Sequence, residues 1–402
     1  MKLQVMFRLD YWVGRPLCKA ISLLHEVLEK ILSDKAENIP PNKIMFLELS
    51  EMGAAILAYS AIKEAQKSYP EAKFYFWIFK ENAESVYALG VIPEENVITL
   101  RNNNLFVLLL DVLRNLKKIR KEKIDTVIDM ELFSRFTSLL TYFSGARKRI
   151  GFHKFTLEGL SRAEIYTHKV IYNPYQHISK NFLALVKAIE YDCDAPLLKI
   201  PLDSYKTIVP VAELANKDLD AIWDKLKKEN ELIDRKNRIV VLNPGVGEYL
   251  FLRRWPIENY IELSNRMFED ENVFVVLIGL KSESAELTDM NCLSQNKRFV
   301  NLIGKTTVRE MIALCNIASL FISHDSGAAN LASLTLINAI VLFGPETPVL
   351  YAPLKDNKKI LYKNLACSPC FSAYNHRASI CRDNKCLKAI TVDEVYECSN
   401  RF

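Results

Sequence analysis

Five turns in the second half of this 402-residue chain carry residues suited to holding an anion. They read NPGVGEYLFLRRWP, GLKSES, GKTT, HDSGAAN and FGPETP, and they close apolar runs of strand character. Arg253 and Arg254 in the first turn supply permanent positive charge, and a guanidinium matches phosphate oxygens in pairs. Asn243 and Gly245 precede them, and Lys281, Lys305 and Thr306 lie in the next two turns. Asp325, Ser326 and Gly327 follow a strand and open a helix, whose unpaired N–H groups suit phosphate. Gly327 lets the backbone approach a ligand closely. The set points to a nucleotide or another anion. Asp325 and Ser326 also have a plainer reading, as helix caps.

The first half offers less. KIMFLELSEMGAAILAYSAI, Lys43 to Ile62, reads as a buried strand, a turn and a helix, but Gly53 is followed by Ala54 and Ala55. Neither can donate or accept a proton. Asp192–Asp194 mimics a D-x-D metal motif, yet it sits just before Pro196 where regular patterning lapses, so it reads as solvated loop. His324 beside Asp325 reads as structural rather than substrate-touching, and His153 and His177 receive no role. Cys367, Cys370, Cys381 and Cys386, with His376 among them, have spacing compatible with a structural zinc. Free thiols in a packed tail are the competing reading.

These residues need a scaffold, and the pattern supplies one. From Lys43 onward, apolar runs alternate with amphipathic helices, which argues for parallel sheets covered on both faces. The alternation lapses around Tyr191–Val211, where Pro196, Pro201 and Pro210 mark a boundary, and then resumes. The division is therefore an extension and linker over 1–42, a first α/β domain over 43–205, a second over 206–360, and a cysteine-rich tail over 361–402. In the extension, Leu17, Ile21, Leu24, Val27, Leu28 and Ile31 fall at helical spacing. Such a stripe packs on its own protein or lies on a membrane, and Tyr11, Trp12, Arg8, Arg15 and Lys19 near its start suit an interface.

Composition narrows the class. Fifty-three basic and 48 acidic residues leave a net charge of +5, which favours anionic ligands or surfaces only mildly and does not suggest a nucleic-acid binder. Met1–Lys19 lacks a secretory apolar core and cleavage site. With nine cysteines, a cytoplasmic, reducing location with free thiols is expected. No apolar run approaches the ~18–20 residues of a spanning helix.

Taken together, the motifs resemble glycosyltransferase family 9, the heptosyltransferases of lipopolysaccharide core synthesis. FISHDSGAANLASLTLINAIVLFGPETP is similar to the family's strand–DSG–helix–strand–FGPT-P series. LNPG followed by RRWPIENYIELSNRM resembles its N-P-G and K-x-W-P elements. The Lys43 strand–turn–helix, the segment IDTVIDMELFSRFTSLLTYFSGARKRIGF with its R-x-G-F ending, and CSPC…CLKAITVDEV complete the resemblance, which covers about Lys43 to Val395. It implies a GT-B fold, two Rossmann-like domains facing a central cleft, with no cofactor and no active-site metal. The second domain would hold a nucleotide sugar, usually ADP-heptose. The first would hold a lipopolysaccharide core or other lipid-linked acceptor. Transfer would invert the anomeric centre, on the inner face of the cytoplasmic membrane.

The resemblance also distributes roles. Arg253 stands at the family's phosphate-binding Lys, and Asp325, Ser326 and Gly327 at its D-[ST]-G turn. Thr306 falls in the loop beside the adenine, Lys281 and Ser282 near the ribose, and Asn330 at the usual His. Ala54 replaces the Asp that acts as general base. Three readings follow. Another carboxylate serves: Glu51 first, or Glu48, Asp129 or Glu131. The reaction runs slowly without a base, which contributes about 10²–10⁴-fold. Or the chain binds a sugar nucleotide and does not transfer it.

Overall fold

The computed structural model describes residues 6, 8–32, 39–132, 134–152, 162, 164–191, 201–246, 251–375, 377 and 379–402. Asp192–Asp194, Pro196, His153, His376 and Asn38 of the linker lie outside the described residues. The chain divides into two compact units, Met1–Thr207 and Ile208–Phe402.

In the first unit a π-helical turn, Asp10–Gly14, leads into α1, Arg15–Leu32. The six strands that follow are β1 (Lys43–Leu47), β2 (Lys73–Phe79), β3 (Val97–Leu100), β4 (Thr126–Asp129), β5 (Lys148–Phe152) and β6 (His168–Val170). They form one parallel sheet in the order β3-β2-β1-β4-β5-β6. The inner strands are unbroken apolar runs because helices bury both of their faces. Helix α2, Met52–Leu57, follows β1 directly. Helix α3, Leu105–Glu122, starts where the Asn104 side chain accepts the Val107 N–H and stops where Lys123 turns left-handed at φ 55°. Helix α4, Arg135–Phe143, is capped by Ser134, and α5, Ile178–Lys187, by His177, which gives that histidine a structural role.

The apolar stripe on α1 is only partly buried. Cys18 and Ile21 are buried against Leu139, Ile165 and Tyr166. Ser22 Oγ accepts the Glu164 N–H at 2.8 Å, and His25 meets the Tyr142 ring edge-on. Leu17, Leu24 and Val27 of the stripe are exposed. The side chains of Leu28 and Ile31 lie outside those described.

The second unit opens with α6, Asn216–Glu229. Its strands are β7 (Arg238–Asn243), β8 (Val273–Leu277), β9 (Phe299–Asn301), β10 (Leu320–His324), β11 (Asn338–Phe343) and β12 (Lys358–Tyr362), in the order β12-β11-β10-β7-β8-β9. Between them run α7 (Ile257–Met267), α8 (Val308–Ile317) and the short α9 (Gly327–Ala332), and α10 (Val392–Ser399) ends the chain. The cysteine-rich tail joins this unit's core: Leu387, Ile390, Val392 and Val395 pack with Trp255, Tyr260 and Leu263. Counted from its own first strand, this sheet has the same order as the first. The two halves thus share a topology as well as a class of architecture.

Candidate active site

In an open parallel sheet, ligands bind at the carboxyl ends of the two strands where the order reverses. In the first unit these are β1 and β4, whose ends, Leu47 and Asp129, lie in register. Three glutamates gather just beyond them. Glu131 Oε1 accepts the N–H of Leu49 at 3.1 Å, the N–H of Ser50 at 3.0 Å and the Ser50 hydroxyl at 2.7 Å. Glu48, 2% exposed, accepts the Glu51 N–H at 3.3 Å. Burial, then the charges of Glu131 and Glu51, push the Glu48 carboxyl well above its ordinary range, and burial also raises Glu131. Glu51 occupies the N-cap of α2 in extended backbone but makes no side-chain cap, and it is half-buried. The Ala54 methyl lies one helical turn on.

Asp129, a second carboxylate singled out from sequence, is fully enclosed. Arg162 Nη2 meets its Oδ2 at 2.5 Å, the Tyr166 hydroxyl donates to the same oxygen at 2.7 Å, and the Glu131 N–H donates to Oδ1 at 3.1 Å. This pair ties β4 to the turn after it and leaves no open face for a substrate hydroxyl. Gly151 of the R-x-G-F element belongs to the same packing. A Cβ there would sit 2.3 Å from the Tyr166 ring.

In the second unit the order reverses between β7 and β10. Asn243 ends β7; its backbone and side-chain oxygens each accept the Ser323 hydroxyl at 3.1 Å, and its amide donates to the Ile278 carbonyl at 3.3 Å. Ser326 caps α9 by accepting the Ala329 N–H at 3.3 Å. Asp325 faces Arg253, with 3.3 Å between its Oδ2 and Nη1. Glu346 takes the Arg253 Nη2 at 3.0 Å and lies 3.6 Å from Arg377 Nε. Phe371 lies against the Arg253 guanidinium, with 5.7 Å between ring centroid and Cζ. Arg254 pairs with Glu286. Both arginines keep a buried Nε–H without a hydrogen-bond partner.

His324 explains how the R-R-W-P segment is held. Fully buried at the end of β10, its Nε2 accepts the Trp255 N–H at 2.8 Å and lies 3.0 Å from the Tyr260 hydroxyl. Nδ1 therefore carries the ring proton. Burial, reinforced by the Arg254 charge, pushes the imidazole down to about 3, so it stays neutral. The tail adds two clamps: Trp255 Nε1 donates to the Ile390 carbonyl at 2.8 Å, and Asn384 donates to the Arg254 carbonyl at 2.6 Å.

Residues 112–380 match the model of glycosyltransferase family 9 (heptosyltransferase). The chain belongs to that family. Lipooligosaccharide heptosyltransferase 2 of Campylobacter jejuni is 27% identical over 177 residues, 43% of this chain and 54% of that protein. The match thus spans about half the length of that relative. Lipopolysaccharide core heptosyltransferase OpsX of Haemophilus influenzae is 24% identical over 335 residues, 81% of this chain and 86% of that protein. The structure of E. coli ADP-heptose lps heptosyltransferase II superposes with a TM-score of 0.69 at 17% identity, covering 89% of this chain and 98% of that one. The fold is the two-domain GT-B type.

Within this family 9 chain, the remaining site candidates are placed as follows. Lys305 pairs with Glu229 on α6, and its carbonyl accepts Lys225 Nζ at 2.7 Å. Thr306 lies between the left-handed Gly304, φ 68°, and Thr307, the cap of α8. Lys281 is exposed. The acid beside Gly245 is Glu283, which is buried; a Cβ on Gly245 would fall 2.2 Å from its Oε2. Sequence reasoning missed Glu283 and Glu346, although both lie in the quoted turns GLKSES and FGPETP. Their role depends on partners far away in the chain. Asn330 keeps a buried Oδ1 without a hydrogen-bond partner. Among the described residues, no three His, Cys, Asp or Glu side chains converge to hold a metal, so Cys367, Cys370, Cys381 and Cys386 form no zinc site there.

Proposed function

We propose that this chain moves a heptose, or a related sugar, from ADP-heptose onto a lipopolysaccharide core or another surface-glycan acceptor, with inversion and without a metal. Family membership and the names of its relatives support the donor and acceptor class. The second unit takes the donor. The buried Nε–H groups of Arg253 and Arg254 and the α9 turn of Asp325, Ser326 and Gly327 face the diphosphate. The first unit takes the acceptor. The described cysteines are free thiols, which supports a reducing, cytoplasmic place.

The observation that carries the catalytic assignment is the group of three glutamates where β1 and β4 end. Glu48 is buried, Glu131 is taken up by hydrogen bonds from Leu49 and Ser50, and Glu51, half-buried at the start of α2, is the member we assign as the base. In the reaction, the acceptor oxygen bonds to the anomeric carbon as that carbon's bond to the diphosphate oxygen breaks. The electron pair leaves with the nucleoside diphosphate, and the hydroxyl proton passes to Glu51.

The test is release of ADP from ADP-heptose in the presence of acceptor. Glu51→Gln lowers turnover about 10²–10⁴-fold while ADP affinity is kept. If Glu51→Gln turns over like the parent and Ala54→Asp raises the rate, the turn lacks a base and Glu51 is not its replacement. If the parent binds ADP-heptose without turnover, the chain is a binding homologue. A thermal-shift panel of nucleotide sugars identifies the donor through stabilisation by mass action.

A further inference from the structure

The tail reaches back onto the FGPETP turn. The N–H groups of Cys370 and Phe371 both donate to the Pro345 carbonyl, at 2.9 and 2.8 Å, and the Ser368 hydroxyl donates to the Gly344 carbonyl. The chain then folds over itself. The Ser372 N–H donates to Asn375 Oδ1 at 3.0 Å, and Asn375 Nδ2 donates to the Cys370 carbonyl at 2.8 Å. Arg377 takes the left-handed region, φ 54°, and its N–H donates to the Ser372 carbonyl at 3.0 Å. A residue with a Cβ rarely adopts that conformation, and where it does its surroundings hold it there. The Arg377 guanidinium lies over the Tyr351 ring, with 5.4 Å between Cζ and centroid.

The consequence falls on Glu346. This side chain is 1% exposed, and its Oε2 lies 3.0 Å from Arg253 Nη2 and 3.6 Å from Arg377 Nε. Two guanidiniums thus converge on one carboxylate oxygen, the nearer from the R-R-W-P segment and the farther from the tail. Arg253 faces Asp325 with its other Nη. Two arginines and two acids carry no formal net charge together, so the cluster in this arrangement attracts an anion only weakly. A phosphate that pairs with Arg253 competes with both carboxylates and is repelled by them. Drawing Arg253 away from Glu346 takes a compensating charge from a buried carboxylate, which is strongly unfavourable. Arg377 is placed to offset that loss.

We propose that Arg377 is a positioning residue for donor binding, which takes over Glu346 when Arg253 turns to the diphosphate. The shared oxygen already lies 3.6 Å from its second partner, so a small side-chain shift completes the exchange. Arg253 is released with its charge, and Glu346 keeps a cation beside it. The proposal rests on the reading of the second unit as the nucleotide-sugar side, and it adds to that side a residue from the cysteine-rich tail.

The test is calorimetry of the full chain with ADP and with adenosine, which lacks the phosphates. Arg377→Gln weakens ADP binding about tenfold, within the range of coupling between neighbouring charged groups, and leaves adenosine binding unchanged. Arg377→Lys keeps a cation near Glu346 and recovers most of the loss. Glu346→Gln removes the carboxylate, so adding Arg377→Gln to it costs no further ADP affinity. That non-additivity separates the exchange from direct contact. A loss of the same size in both backgrounds puts Arg377 on the phosphates themselves and overturns the proposal. Equal losses of ADP and adenosine binding overturn it too, because a staple that only holds the tail acts on both. So does Arg377→Gln binding ADP like the parent. A parent that binds no ADP overturns the reading of the second unit, and this proposal with it.

Discussion

The two points where strand order reverses share one topology and carry opposite chemistry. In the first unit, the ends of β1 and β4 gather Glu48, Glu51 and Glu131, and burial there raises the carboxyls of Glu48 and Glu131 above their ordinary range. In the second, the ends of β7 and β10 set Arg253 between Asp325 and Glu346, each of its Nη groups paired and its Nε left over. A doubly wound sheet places a turn and a helix start at each reversal. Which charges it gathers there is free to differ. One place gathers carboxylates, the other a buried guanidinium between two acids.

The comparison is broken most severely by removing the arginine behind the acidic point. Arg162→Leu leaves Asp129 buried without its partner and costs roughly 3–5 kcal/mol, to be read by urea unfolding. The corresponding change in the other unit, Arg253→Leu, breaks the pairs with Asp325 and Glu346 and also acts on the ligand. ADP binding measured by calorimetry weakens by about 1.5–3 kcal/mol, the usual contribution of a charged hydrogen bond. Gly151→Ala, which drives a methyl into the Tyr166 ring, destabilises by about 1–3 kcal/mol. Unfolding midpoints measure that loss.

The smallest effect is a slope with pH. Glu48 has a raised folded-state pKa, so the folded state holds its proton more tightly than the unfolded chain does. Stability from this group is full below the unfolded value of about 4.3 and falls as pH rises through the raised one. Glu48→Gln keeps a hydrogen-bonding amide and flattens that slope. Stability curves of the two proteins between pH 4 and 8 should converge at the acid end and separate at the basic end, with the variant above.

Much of this was legible in the chain. The alternation of apolar runs and helices located most of the inner strands, because strands buried on both faces are apolar throughout. What it missed were short or basic strands: β6 and β9 have three residues each, and β12, KKILY, begins with two lysines at a sheet edge. The R-R-W-P and D-S-G turns were visible because glycine, proline and charge mark a turn locally. Asp129 stood out as an acid at a strand end, but nothing near it in sequence shows that Arg162 and Tyr166 close over it. Glu346 was quoted and passed over, since its value lies in Arg253, 93 residues away.

The sequence alone determined the class of fold, the order of its elements and the turns that close its strands. These depend on periodicity and on backbone freedom, which are properties of neighbouring residues. Only the tertiary structure decided which acids are buried and paired, as Asp129 is beneath Arg162 and Tyr166. The same holds for α1, where Cys18 and Ile21 are buried and Leu17 and Leu24 are exposed. Burial and pairing are set by groups brought together across long stretches of chain, as Asp10 and Arg135 are across 125 residues. A carboxylate's proton affinity, and so its chemistry, follows from that company.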